Sequence, residues 1–200
     1  MKRILILSAL VFSCGAALSA GPLYQVTVDT SGLTGGGLID FAFNKANTDA
    51  LGATATVTGF TSSGFTFDAG SNGSAGAVTG SLDAPPLVIG NDAGAVNYFD
   101  EGVTAWGGGF SFLVSFDGPA IGAPSPDVSD FILTLFDPDF NVLDGDIFTG
   151  TVDITVGTDG NLTSQHTGIG SVSAQALPEP TTWMTGGLAG LLLLVQRKRR

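Results

Sequence analysis

Hydrophobic and polar residues alternate with a period of two along most of the chain. Tyr24, Val26 and Val28 are separated by Gln25 and Thr27, and Ala53, Ala55 and Val57 by Thr54, Thr56 and Thr58. Phe65 and Phe67 flank Thr66, and Val152, Ile154 and Val156 repeat the pattern near the end. Phe110, Phe112, Val114 and Phe116 form the longest such face. Successive strand side chains point to opposite sides, so each run predicts a strand with one buried and one wetted face. Phe131 to Phe136 is apolar almost throughout, which predicts a central strand covered on both sides.

Turn-forming clusters separate these runs: Gly35-Gly36-Gly37, Asp68 to Gly76, Ala84-Pro85-Pro86, Gly118-Pro119, Ala123 to Pro126 and Asp159-Gly160. No helical stretch survives between them. The expected fold is all-β, with eight to ten short strands in an antiparallel two-sheet sandwich or jelly roll. A β-helix is the alternative, disfavoured because the chain has no internal repeat. Thirteen of the fourteen phenylalanines follow residue 20 and are expected to fill the space between the sheets.

The two ends depart from this pattern. Lys2 and Arg3 precede an apolar core from Ile4 to Phe12 and a small-residue stretch ending at Ala20, the layout of a secretory signal helix removed after Ala20. Val11 to Gly15 loosely resembles a lipoprotein processing box around Cys14; otherwise Cys14 leaves with the signal. The mature domain then has no cysteine, and its core must hold it without a disulfide. At the other end, Pro178-Glu179-Pro180 leads into the uncharged segment Thr181 to Val195 and then Arg197, Lys198, Arg199 and Arg200. Fifteen helical residues span about 22 Å, so a short transmembrane helix is expected, with arginine snorkelling covering the shortfall against a ~30 Å hydrocarbon core. The domains read as a signal peptide (1–20), an acidic β-sandwich (21–176) and a tail (177–200).

Charge sharpens the division. All eighteen acidic residues lie between Asp29 and Glu179, with Lys45 the sole base in that stretch, a local net charge of −17. The other six bases sit at the ends, the pattern of flanks retained in the cytoplasm while the acidic middle is exported through the inner membrane. Such a domain repels phosphate, which excludes nucleic acid as a partner.

The Pro-Glu-Pro motif, the short segment with Gly186, Gly187 and Gly190, and the closing basic cluster together resemble the PEP-CTERM sorting signal of Gram-negative bacteria, a tail also named after ice-binding proteins that carry it. The resemblance covers about the last 24 residues. It implies that the secretion machinery and an exosortase-type membrane peptidase handle the chain, releasing it to the cell envelope, cell surface or extracellular polysaccharide matrix. Tyr24 to Leu33, with Gly36-Gly37 and Ile39 to Asn44, resembles the opening of a group of short β-rich PEP-CTERM proteins of uncharacterised function. Ice binding does not follow from the tail, and Thr54, Thr56 and Thr58 alone are an ordinary strand surface.

Candidate chemistry in the middle is sparse. His166 is the one histidine and falls in the polar run Thr163 to Thr167, read as a loop; without a base at hand, serine nucleophiles have no partner. One histidine and no mature cysteine exclude a zinc site. No cofactor is expected, with calcium the one candidate: Asp137, Asp139, Asn141, Asp144 and Asp146 form the densest acidic cluster. Val142 and Phe148 stand where an EF-hand needs glycine and glutamate, so the alternative is a hairpin turn. An aspartate pair could serve a hydrolase, provided that the fold offers a cleft with two facing carboxylates. Tyr98, Phe99 and Trp106, placed in a loop-like region, could stack on sugars or pack in the core. The preferred expectation is a non-enzymatic surface or matrix protein with a structural or adhesive role in exopolysaccharide or biofilm, and the alternative a carbohydrate-binding module.

Overall fold

The computed structural model describes residues 22–68, 70–92, 96–143, 152–166 and 172–177. The signal segment, Pro178, Glu179, Pro180, the apolar tail and the basic end at Arg197, Lys198, Arg199 and Arg200 lie outside the described residues, as do Asp144 and Asp146.

Thirteen strands and no helix make up the described residues: β1 (Leu23–Val28), β2 (Gly37–Lys45), β3 (Thr54–Ser63), β4 (Thr66–Phe67), β5 (Gly73–Ala75), β6 (Val78–Thr79), β7 (Leu87–Gly90), β8 (Tyr98–Ala105), β9 (Gly109–Asp117), β10 (Ser129–Phe136), β11 (Val152–Val156), β12 (Leu162–His166) and β13 (Val172–Leu177). They form two sheets. The first runs β13-β1-β9-β3-β7-β6 and the second β12-β11-β10-β2-β8-β4, with β5 also paired to β8. Every pairing is antiparallel, which rules out the β-helix alternative.

The alternating runs land as strands whose apolar positions face one shared core. Val26, Ala55, Val57, Phe112, Val114 and Phe116 face inward from the first sheet, and Ile39, Phe41, Phe43, Phe131, Leu133, Val152 and Ile154 from the second. Rings lock the two sheets together: Phe41 meets Phe112 edge-on at 5.3 Å, Phe43 meets Phe116 at 5.8 Å, and Phe116 meets Phe131 at 5.7 Å. Edge-to-face geometry sets the positive ring edge against the negative face of its neighbour, which adds to the area buried.

A second aromatic cluster closes one end. The register of β3 against β9 slips between Thr58 and Thr61, a bulge at Gly59 and Phe60. Gly59 takes φ 61° there, a conformation that a side chain resists. Phe60 stacks on Phe110 at 5.4 Å and meets Phe65 and Phe67 at 6.0 and 5.6 Å.

Three expectations need correction. Phe131 to Phe136 does lie centrally, as β10 between β11 and β2, but Ile132 and Phe136, on the side opposite Phe131, Leu133 and Leu135, are only half-buried. Tyr98 to Ala105 is strand β8 rather than loop, and Thr163 to His166 belongs to strand β12. Antiparallel pairing with β2 and β11 supplies hydrogen bonds that polar composition alone does not reveal.

Candidate functional site

The two outer faces differ in chemistry. On the first sheet, Thr54, Thr56 and Thr58 of β3 lie beside Ser111, Leu113 and Ser115 of β9 and Gln25 and Thr27 of β1, with no ionisable group before Asp117 at the end of β9. Two open grooves indent this face. One of about 400 Å³ is bordered by Thr27, Asp29, Thr61, Ser62 and Ser111, the other of about 600 Å³ by Thr54, Thr79, Val88 and Asp92. The Thr61 and Ser111 hydroxyls are bonded at 2.9 Å, so part of this array is already self-satisfied.

The second sheet turns carboxylates outward. Asp40 of β2 lies directly opposite Asp100 of β8, and Asp130 of β10 is opposite Asn44 and Thr155. Asp153 of β11 lies across from Ile132, diagonal to Asp130. Burial, then the charge of Asp100, then the hydrogen bond between the two carboxyls push Asp40 up to about 8. Asp100 is also raised by burial, with the bond from Asp40 working against it. Two carboxyls in contact cannot both ionise cheaply, so the pair holds one proton between them through neutral pH. Asp153 is pushed up to about 6, chiefly by burial and then by Asp130.

A cleft of about 390 Å³ opens beside the pair, lined by Asp68, Ser71, Asp100, Leu38, Val103 and Phe140 among others. Gly102 brings the Asp68 turn onto β8, because a Cβ there would sit 2.6 Å from the Asp68 carbonyl oxygen. The Asp68 carboxylate is committed to that turn, accepting from the Gly70 N–H at 3.1 Å and the Ser71 hydroxyl at 2.8 Å. The aspartate pair therefore has a cleft beside it, as a hydrolase would require. Its carboxyls are in direct contact, however, whereas glycosidases hold theirs about 5 Å or more apart with the substrate between. What the arrangement can do is donate or accept one shared proton at the cleft edge.

The other sequence candidates separate. Asp137 organises its own turn: Oδ1 accepts from the N–H groups of Asp139 and Asn141 at 2.9 and 2.8 Å, and Oδ2 from the Asn141 amide at 2.8 Å. Those bonds hold its carboxyl below the usual range. Phe140 adopts φ 64° at the turn. Among the described residues no group of three or more His, Cys, Asp or Glu side chains is placed to hold a metal ion. His166 is exposed on β12. Phe99 and Trp106 are core residues, 5% and 2% exposed, and the Trp106 indole N–H donates to the Gly36 carbonyl at 3.2 Å. Their place in the core removes them as a sugar-stacking platform.

Two buried asparagines carry structure that the sequence did not flag. Asn91, fully buried, accepts from the Ala53 N–H at 2.6 Å and donates to the Leu51 carbonyl at 3.0 Å and the Ser129 hydroxyl at 2.8 Å, joining the two sheets. Asn97, equally buried, accepts from the Ala77 N–H at 2.9 Å and donates to the Phe43 carbonyl at 3.2 Å. The one available signal was a polar residue beside an apolar strand. Comparison with protein-family models, with curated proteins and with solved structures finds no match for this chain.

Proposed function

We propose that this chain is an exported, non-enzymatic surface or matrix protein, a substrate of a PEP-CTERM/exosortase-type system, with a structural or adhesive role in extracellular polysaccharide. The carrying observation is the order of charges and motifs along the chain: bases at both ends, eighteen acids between, and Pro178-Glu179-Pro180 ahead of an uncharged segment and four terminal bases. On this reading residues 1–20 form a signal helix and Thr181 to Val195 a short membrane helix that anchors the chain in the inner membrane before processing.

The two outer faces support the adhesive part. The paired carboxylates of the second sheet repel acidic glycans, whereas the hydroxyl and amide groups of the first sheet, flanked by Asp29, Asp92 and Asp117 only at its ends, can exchange hydrogen bonds with sugar hydroxyls. The reading as a carbohydrate-binding module rests on this face, not on the core residues Phe99 and Trp106; Tyr98 is half-buried, at an outward position of β8 on the second sheet. The direct contact of Asp40 with Asp100, which leaves no substrate-sized gap between them, supports the non-enzymatic reading.

Mass spectrometry of the species recovered from the medium and the envelope tests the sorting step. The expected product begins at Gly21 and ends near Pro178-Glu179-Pro180, and Glu179→Ala leaves the full tail in place. Recovery of the uncleaved chain in the cytoplasm refutes the proposal.

A further inference from the structure

The turn from β11 into β12 holds the sequence Asp159-Gly160-Asn161-Leu162-Thr163. An asparagine followed two places later by threonine, with a residue other than proline between, is the acceptor pattern for N-linked oligosaccharides. The hydroxyl gives a transferase a hydrogen-bonding handle on one side of the amide, and Asp159 adds a charged handle on the other.

The fold sorts these five residues by role. Asp159, Asn161 and Thr163 are exposed, Gly160 is buried, and Leu162 is half-buried against the core. The spacer positions anchor the turn: the Gly160 carbonyl accepts from the Gly122 N–H at 2.9 Å, and at φ 77° a Cβ on Gly160 would run into the Ala123 backbone. Acid, amide and hydroxyl are thereby left to solvent together. The Asp159 carboxylate accepts from the Asn161 backbone N–H at 3.0 Å and from its Nδ2 at 2.8 Å. Both bonds lie at the surface, where water competes for the same partners, so an enzyme can take over amide and carboxylate at little net cost.

The position is also open to approach. β12 ends its sheet, and Thr163 to His166 are exposed without a lysine, an acid or a proline. Edge strands ordinarily carry such residues to discourage pairing with another chain, and a bulky sugar at the head of β12 would block the same approach. A second match to the pattern, Asn72-Gly73-Ser74, lacks the acid, since Gly70 stands two places before the asparagine. Asn72 Oδ1 accepts from the Gly102 N–H at 3.0 Å instead.

We propose that Asn161 is the attachment site of an N-linked oligosaccharide, added by an acid-dependent membrane transferase on the outer side of the inner membrane; the inference rests on the export reading above. In the transfer, Asn161 Nδ2 forms a bond to the anomeric carbon of a lipid-pyrophosphate-linked oligosaccharide. The bond from that carbon to the pyrophosphate oxygen breaks, the lipid pyrophosphate leaves with the electron pair, and the amide proton passes to a base of the enzyme.

Mass spectrometry with fragmentation of the chain recovered from the medium and the envelope tests this. The expected species carries an oligosaccharide at Asn161 and none at Asn72. Asn161→Gln and Thr163→Ala abolish the modification, Thr163→Ser retains it, and Asp159→Ala lowers occupancy about tenfold, the equivalent of one hydrogen bond to a charged group. Thr163→Ala leaves the bonds between Asp159 and Asn161 intact, so it replaces Asn161→Gln should that variant fail to fold. Exported chain with a bare Asn161 overturns the inference while the export reading stands, as does a sugar that persists in Asn161→Gln through linkage to Thr163. Equal occupancy of Asn72 and Asn161, or of Asp159→Ala and wild type, overturns the acid dependence. Chain found only in the cytoplasm overturns both readings.

Discussion

The hydrogen-bonded pair Asp40 and Asp100 makes stability depend on pH in a direction opposite to that of most carboxylates. An unfolded aspartate titrates near 3.9, whereas Asp40 in the fold is pushed up to about 8. A raised folded value means that the native state binds the proton more tightly, so the contribution is complete below about pH 4 and is lost as pH climbs through about 8. Four units at 1.36 kcal/mol each set a ceiling of about 5–6 kcal/mol. Asp100 shares the proton and the outer face admits water, which reduces the expected loss between pH 5 and pH 9 to about 2–4 kcal/mol. Asp40→Asn removes the dependence, since the amide N–H donates to Asp100 permanently in place of the shared proton. Urea unfolding followed by circular dichroism at pH 5, 7 and 9 compares the two proteins. Asp153, raised to about 6, contributes equally to both and cancels in the difference. Identical pH slopes for wild type and Asp40→Asn, or a wild type more stable at pH 9 than at pH 5, refute the reasoning.

Other positions test the core and its polar ties. Trp106→Ala removes a 2%-exposed indole bonded to Gly36 and in contact with Phe65 at 5.8 Å, and is expected to cost about 3–5 kcal/mol in urea unfolding without abolishing glycan binding. Loss of glycan binding in protein that remains fully folded would instead place Trp106 at the sugar surface. Asn91→Ala strands the Ala53 N–H, the Leu51 carbonyl and the Ser129 hydroxyl in the interior, and is expected to cost about 3 kcal/mol or more. A loss below about 1 kcal/mol would show that water replaces those bonds.

How much of this was legible beforehand depends on how local the cause is. Strict alternation in Tyr24 to Val28, Ala53 to Thr58 and Phe110 to Phe116 located strands and their buried faces, because the strand period is a property of the backbone alone. The same rule, carried through Phe99, Glu101 and Val103, places the glutamate with the core residues; the signal was present but masked by the acidic pair Asp100-Glu101. Tyr98 to Ala105 and Thr163 to His166 resembled loops because their composition is mixed, and only pairing with β2 and β11 extends them.

The sequence by itself determined the all-β class, the phenylalanine core, built without a disulfide since Cys14 is the one cysteine, and the confinement of acids between two basic ends, since each follows from residue type and order along the chain. Tertiary structure decided the rest. Asp40 and Asp100 are sixty residues apart and meet only through the register of β2 on β8. Asn91 and Ser129 meet only because two sheets close on each other. Antiparallel register is a long-range choice settled by the whole packed core, and period-two patterning names the faces of a strand without naming its neighbours.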